Sequence, residues 1–283
     1  GKSMIASRIP GILPSMTEEE AIELSAIYSV IGKLPPNGSL IKERPFRAPH
    51  HTITAKALCG GGTIPGPGEI SLAHCGVLFL DELPEFHRET LEVLRQPLEN
   101  GSMQIHRCGY TYDFPAQFML VGAMNPCPCG FYPDLSRCHC SYTAVRRYQE
   151  KISMPLLDRM DMMIEVSALS YPQWNQTTQE MSSAQMKKKV ERVREIQKER
   201  RKGQSFLFNS RMGNQELEEY CALGTQEKKL MKKAFDELKI SARGYTKILK
   251  VARTIADLEE KEQIQTEHLQ EALCYRIGNG IYR

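Results

Sequence analysis

The chain has 283 residues, 41% of them hydrophobic and 25% charged, with a formal net charge of +3. That length allows one large or two medium domains around a buried core, and the composition lies in the range of a soluble globular protein. No stretch approaches the ~20 consecutive apolar residues of a membrane span and no signal peptide is evident, so the expectation is a cytoplasmic protein without a membrane partner; the charge is too small to argue for or against nucleic acid.

In chain order, Gly1-Lys2-Ser3 runs into the small apolar stretch Met4-Ile5-Ala6. Gly-Lys-Ser opening a helix is how a Walker A phosphate loop ends. There the Lys reaches the β- and γ-phosphates, the Ser hydroxyl ligates Mg²⁺, and the helix N-terminus adds N–H donors and dipole. The preceding strand and glycines of such a loop are expected upstream of Gly1. A tripeptide of this kind also occurs by chance, so its weight depends on matching residues further along the chain. His50 and His51 invite a metal reading, but adjacent side chains in an extended loop point apart and no acidic residue stands close in sequence. A pore-loop or structural role is expected for them instead.

Gly76-Val77-Leu78-Phe79-Leu80 then leads into Asp81-Glu82. Apolar residues without alternation predict a parallel strand buried on both faces, and the carboxylates stand at its C-terminal end, where α/β sheets bind ligands. After a Lys-Ser pair this reads as Walker B, with Asp81 in the Mg²⁺ shell and Glu82 polarising the attacking water. The plain alternative is a core strand ending in a solvated acidic turn. Phe118 to Ala123 predicts a second such strand, closed by Met124 and Asn125, where a lone Asn is otherwise a turn former.

Nine cysteines occur, and Cys127, Cys129, Cys138 and Cys140 form a C-x-C-x8-C-x-C pattern. Four thiolates complete a tetrahedral Zn²⁺ shell with no open position, and clustered cysteines in a cytosolic chain suggest metal before disulfide. Free reduced thiols are the alternative, and His139 is an outside candidate for a ligand. Cys59, Cys75, Cys108, Cys221 and Cys274 are scattered and read as ordinary small core or surface residues.

Pro155-Leu156-Leu157-Asp158-Arg159 leads into an expected apolar strand, Met162 to Val166; Arg159 is either a surface charge or a functional cation. Beyond it a basic helix is predicted over 183–202, then helices at 214–222, 225–239, 242–259 and 266–276. Leu230, Ala234, Phe235 and Leu238 recur at helical spacing, as do Ile248, Leu249, Val251, Ala252, Ile255 and Leu258, and these stripes read as core packing. Arg243 opens one of the helices. The domains expected are an α/β core over 1–170, a linker and basic helix over 171–204, and a small all-helical lid over 205–283.

Several segments together carry a family resemblance. They are Arg44-Pro45-Phe46-Arg47-Ala48-Pro49-His50-His51, Gly60-Gly61-Gly62, Pro65-Gly66-Pro67-Gly68-Glu69-Ile70-Ser71-Leu72-Ala73-His74, Leu83-Pro84-Glu85-Phe86, Asn125-Pro126-Cys127-Pro128-Cys129-Gly130 and Ser241-Ala242-Arg243-Gly244-Tyr245. The chain resembles the YifB/ComM group of magnesium-chelatase-like AAA+ proteins over nearly its whole length. The resemblance implies an AAA+ P-loop core followed by a helical lid, and in the family a Lon-like domain precedes the ATPase module. It implies ATP and Mg²⁺ on Gly1, Lys2, Ser3 and Asp81, with Glu82 as the catalytic carboxylate. Asn125 becomes sensor 1, Arg159 an arginine finger reaching a neighbour's phosphate, and Arg243 sensor 2. It further implies a ring, expected to be a hexamer, and two helix-2-clade insertions. The first falls within residues 44–75. The second is a hairpin near 101–117, with Gly101 and Gly109 as turn signals and His106 and Arg107 either solvated or touching DNA phosphate. By resemblance the activity is that of a DNA helicase or branch-migration motor in recombination and natural transformation. A chelatase-type ATPase remodelling a protein partner and a nucleotide-binding regulator are the alternatives. With the front of the phosphate loop expected upstream, weak nucleotide binding and little turnover are expected of these residues alone.

Overall fold

The computed structural model describes residues 1–107, 109–167, 181–200 and 208–277. The chain divides into two compact units, Gly1–Arg159 and Met160–Arg283.

The first unit opens with α1 (Lys2–Arg8) and α2 (Glu18–Val30). The start of α2 is dictated locally by a capping box: Thr17 Oγ1 accepts from the Glu20 amide at 3.2 Å and Glu20 accepts from the Thr17 amide at 3.0 Å. Glu18, Glu19 and Glu20 in its first turn complement the helix dipole. Next come β1 (Phe46–Arg47), α3 (Ala55–Cys59), the small hairpin β2 (Gly60–Gly61) and β3 (Gly66–Pro67), and α4 (Glu69–Leu72). They are followed by β4 (Val77–Leu80), α5 (Arg88–Glu92), α6 (Arg95–Asn100), the hairpin β5 (Ser102–Arg107) and β6 (Tyr110–Pro115), β7 (Met119–Gly122), α7 (Tyr142–Gln149) and α8 (Met154–Leu157).

Among the described residues β1, β4 and β7 form a parallel sheet with β4 at its centre. Val77 pairs with Phe46 on one side and Met119 on the other. All four side chains of β4 are buried, which is why its sequence lacks alternation. Two glycines are required by close approach. A Cβ on Gly76 would sit 2.1 Å from the Pro45 carbonyl oxygen, and one on Gly68 would sit 2.2 Å from the Gly60 nitrogen. Arg44 ties this region together: Nε donates to the Pro14 carbonyl at 2.6 Å, Nη1 to the Cys75 carbonyl at 2.6 Å and Nη2 to Glu20 at 2.8 Å. Arg47 clasps Glu69 with two bonds of 2.7 Å. The two arginines of the resemblance motif therefore tie it to residues 14–20 and 69–75.

The second unit is helical among its described residues: α9 (Ser183–Arg200), α10 (Asn214–Tyr220), α11 (Thr225–Leu238), α12 (Ala242–Leu258) and α13 (Thr266–Ile277). Its core includes Met212, Leu217, Met231, Ile248, Ala252 and Leu269. Asp257, fully buried, accepts from Arg253 Nε at 3.0 Å, from Arg200 Nη1 at 3.0 Å and Nη2, and from Asn209 Nδ2 at 2.8 Å. Two guanidiniums and an amide thus neutralise and solvate a carboxylate that could not otherwise be buried.

The helices fall close to the ranges expected from periodicity; the end of the basic helix, 201–202, and Gly203 lie outside the described residues. Three expectations need correction. Met162 to Val166 is not a strand. Met162, Ile164 and Val166 are exposed, and the Met163 amide bonds the Tyr275 carbonyl at 2.7 Å. Without a neighbouring strand to complete a ladder, an apolar run does not become one. Phe235 and Leu258 lie outside the lid core, at 41% and 50% exposure. Phe235 instead meets the edge of Tyr245, ring centroids 6.2 Å apart. His50 and His51 do not point apart, because the chain curls there into a turn closed by a bond from the Ile53 amide to the His50 carbonyl.

Candidate active site

The site is built where β4 and β7 end side by side. Leu80 pairs with Gly122, and past the strands Ala123 donates to the Leu80 carbonyl and Leu83 to the Ala123 carbonyl, each at 2.9 Å. This latch brings the segment after β4, carrying Asp81 and Glu82, beside the segment after β7, carrying Asn125.

Helix α1 supplies the third element. Ser3 Oγ donates to Asp81 Oδ2 at 2.6 Å, and Lys2 Nζ donates to Asn125 Oδ1 at 2.6 Å. Asp81 Oδ1 also accepts the Glu82 amide at 2.9 Å, which orients the carboxylate. Four sequence-predicted residues, separated by 78 and 123 positions within the two pairs, thereby meet in one place. Gly1 stands at the N-cap of α1. A Ser hydroxyl beside a carboxylate is a hard oxygen donor set of the kind Mg²⁺ prefers, and an ammonium beside them suits a phosphate. The residues present therefore fit Mg²⁺ and a nucleotide phosphate.

Glu82 adopts the left-handed conformation, φ 50° and ψ 48°, which costs a residue with a Cβ about 1–2 kcal/mol. The turn throws its side chain outward, 61% exposed, with Oε2 3.5 Å from His51 Nδ1. The two histidine rings lie 4.0 Å apart between centroids, and His51 packs edge-on to Phe86 at 6.4 Å. The segment is a turn rather than an extended strand: the Ile53 amide bonds the His50 carbonyl at 2.9 Å and Thr52 Oγ1 meets His50 Nδ1 at 2.9 Å. That curl brings the rings together, and the acidic partner missing from the local sequence, Glu82, arrives through space.

A cleft of about 410 Å³ opens beside Glu82 and Asn125, lined further by Glu85, Arg147, Tyr148 and Lys151. Sequence reasoning missed these last four. Three of them lie on or just after α7, whose alternation of buried Val145 and Tyr148 with exposed Arg146 and Arg147 was the available signal. Burial pushes the Tyr148 hydroxyl above its ordinary pKa, so it stays a neutral hydrogen-bonding group. Lys151 meets Glu85 at 3.3 Å.

Arg159 lies at the end of the first unit. Its guanidinium pairs with Glu99 at 2.6 Å and donates to the Pro155 carbonyl at 2.7 Å, and its side chain is 9% exposed. Arg243 is exposed in the first turn of α12, behind the N-cap Ser241, whose Oγ accepts the Gly244 amide at 3.0 Å. His106 and Arg107 are exposed on β5, and His106 Nδ1 meets Thr111 Oγ1 across the hairpin at 2.9 Å.

The sulfurs of Cys127, Cys129, Cys138 and Cys140 all lie within 4.8 Å of one another, and His139 between the last two is exposed. The Phe131 amide, with a contact between the Cys127 and Cys129 sulfurs, lowers the Cys129 pKa to about 6, whereas burial and the neighbouring thiols leave Cys138 at about 12 and Cys140 above its ordinary value. Of the other cysteines, Cys59 and Cys75 are half-buried, Cys221 is buried, Cys274 is exposed and Cys108 lies outside the described residues.

Comparison with known proteins identifies the family to which this geometry belongs. Residues 1–174 match the model of magnesium chelatase, subunit ChlI, and residues 180–276 match the model of the ChlI C-terminal region. The chain belongs to the magnesium-chelatase ChlI family of AAA+ ATPases. It is 48% identical over 277 residues to competence protein ComM of Haemophilus influenzae, covering 98% of this chain and 53% of that protein. It is 42% identical to the YifB proteins of Salmonella typhimurium and Escherichia coli, covering 98% of this chain and 54% of each. The chain thus spans about half the length of the relatives it matches. Within the family the α/β unit is the AAA+ core, and the helices after residue 180 are its helical lid region.

Proposed function

We propose that this chain is the ATP-hydrolysing module of a ComM-like AAA+ motor that acts on DNA. The observation supporting hydrolysis is the meeting of Lys2 with Asn125 and of Ser3 with Asp81, beside an outward-turned Glu82. Lys2 binds the β- and γ-phosphates. Ser3 and Asp81 would hold Mg²⁺, which would neutralise phosphate charge. Glu82 accepts the proton of the attacking water, and Asn125 orients that water. When nucleotide enters, Lys2 exchanges its bond to Asn125 for bonds to phosphate, which frees the Asn125 amide for the water. His51, 3.5 Å from Glu82, steadies the carboxylate. In this reading Arg159 and Arg243 supply further positive charge from a neighbouring subunit and from the lid, in a ring that is hexameric.

DNA as substrate rests on the likeness to competence protein ComM and on an exposed hairpin carrying His106 and Arg107. Hydrolysis by the full-length protein, with and without branched DNA and beside a Glu82→Gln control, tests the proposal. Strong stimulation by DNA that disappears in the control is the expected result. Hydrolysis indifferent to DNA overturns the motor and favours remodelling of a protein partner, as the chelatase family name suggests.

A further inference from the structure

The cysteine cluster stands apart from the nucleotide chemistry. The Sγ atoms of Cys127 and Cys129 are 3.3 Å apart, those of Cys129 and Cys138 3.6 Å, and those of Cys127 and Cys138 3.8 Å. A disulfide requires about 2.05 Å. Four sulfurs placed ~2.3 Å from one Zn²⁺ at tetrahedral corners stand about 3.8 Å from each other. These three separations lie at or a little below that value, and the Cys140 sulfur lies within 4.8 Å of the others, so the four surround a common centre, and the three are too far apart for bonded pairs.

A backbone amide is aimed at one of the sulfurs. The Tyr132 amide donates to Cys127 Sγ at 3.4 Å. Amides aimed at sulfur stabilise the deprotonated ligand and fix its orientation. Away from the sulfurs the loop packs little: Phe131 is 41% exposed and Leu135 80%. Cys127 and Cys138 are buried beside Val145, with Cys129 and Cys140 partly buried against them, so four thiols share one enclosed position.

The cluster also bears on α7. Val145 packs against Cys127 and Cys138, and Gln149 Nε2 donates to the Pro126 carbonyl at 3.1 Å. The opposite side of α7 offers Ala144, Arg147 and Tyr148 to the cleft shared with Glu82 and Asn125, which Pro128 of the cysteine loop also lines.

We propose that Cys127, Cys129, Cys138 and Cys140 bind one Zn²⁺ in a closed four-sulfur site. The metal fixes the loop over residues 126–140 as the wall on which α7 rests, and so shapes the cleft beside Glu82. The closed shell leaves no position for substrate, so the role is structural. This inference does not depend on nucleotide hydrolysis.

The test is elemental analysis of the wild-type protein, purified reduced and dialysed after exposure to Zn²⁺. About one zinc per chain is expected, and Co²⁺ in its place should give the intense visible bands of a tetrahedral thiolate complex. Cys140→Ser, at a half-buried position, and Cys138→Ser should each lower affinity at least ~10-fold, the loss seen even for outer-shell partners. Limited proteolysis should spare residues 128–140 in the zinc-loaded protein and cut there after stripping with a chelator. Wild type without bound metal, or variants that retain it undiminished, overturns the site. A cleavage pattern indifferent to zinc overturns the wall.

Discussion

The left-handed turn at Glu82 makes a prediction whose sign alone is diagnostic. At an ordinary backbone position Ala is more stable than Gly by about 0.5–1 kcal/mol, because Gly loses more freedom on folding. At φ 50°, ψ 48° the Cβ itself costs about 1–2 kcal/mol. Subtracting the glycine entropy leaves Glu82→Gly more stable than Glu82→Ala by about 0.5–1 kcal/mol. Both variants lose the 3.5 Å approach to His51, so that contribution cancels between them. In a unit of the size of Gly1–Arg159, this corresponds to a melting temperature about 1–4 °C higher for the Gly variant. Calorimetry on the pair gives the comparison directly. Both variants lack the carboxylate, so hydrolysis in the full-length protein should fall about 10²- to 10⁴-fold in each, the usual contribution of a general base. The expected result is strain retained for function: the more stable variant is as inactive as the less stable one. An Ala variant that is equally stable or more so would refute the strain at this turn.

Three other outcomes rest on particular contacts. Lys2→Met should weaken nucleotide affinity about 10- to 100-fold by removing charge-assisted bonds to phosphate, read by fluorescent nucleotide titration of the full-length protein; unchanged affinity would remove Lys2 from the site. Asp257→Asn should destabilise the helical unit by about 3–5 kcal/mol, because Arg200 and Arg253 would be left without a buried counter-charge; a urea midpoint shift worth less than about 1 kcal/mol would refute the hub. His74 is fully buried, accepts the Gln117 amide on Nδ1 at 3.1 Å, and has Nε2 3.1 Å from Glu23. Burial holds its pKa below the ordinary value near 6.5. The unfolded chain therefore takes the proton first, and stability falls as pH drops below about 6.5 until the folded-state pKa is passed. Urea midpoints across that range should show the decline, and His74→Gln should flatten it.

Much of this protein was legible in one dimension because the relevant physics is local. Val77 to Leu80 lacks alternation because a strand flanked by parallel partners is buried on both faces. The lid helices could be bounded from their periodicity and punctuation, and Lys2-Ser3, Asp81-Glu82 and Asn125 were each recognisable from residue type at a strand or helix end. The C-x-C spacing nominated the four cysteines before any distance was known. What only the tertiary structure decided were relations across space. Met162 to Val166 is apolar enough for a strand, but pairing depends on a neighbour, and the amide of Met163 goes to Tyr275 instead. His50 and His51 were separated by an assumption about backbone shape. A turn brings their rings together and delivers His51 to Glu82, 31 positions away in the numbering. The wall of Arg147, Tyr148 and Lys151 was invisible because a helix face shows in sequence only that it is half-buried, and not what it is turned toward. Local periodicity determines which elements form, whereas hydrogen bonds between distant elements decide which side chains share a site.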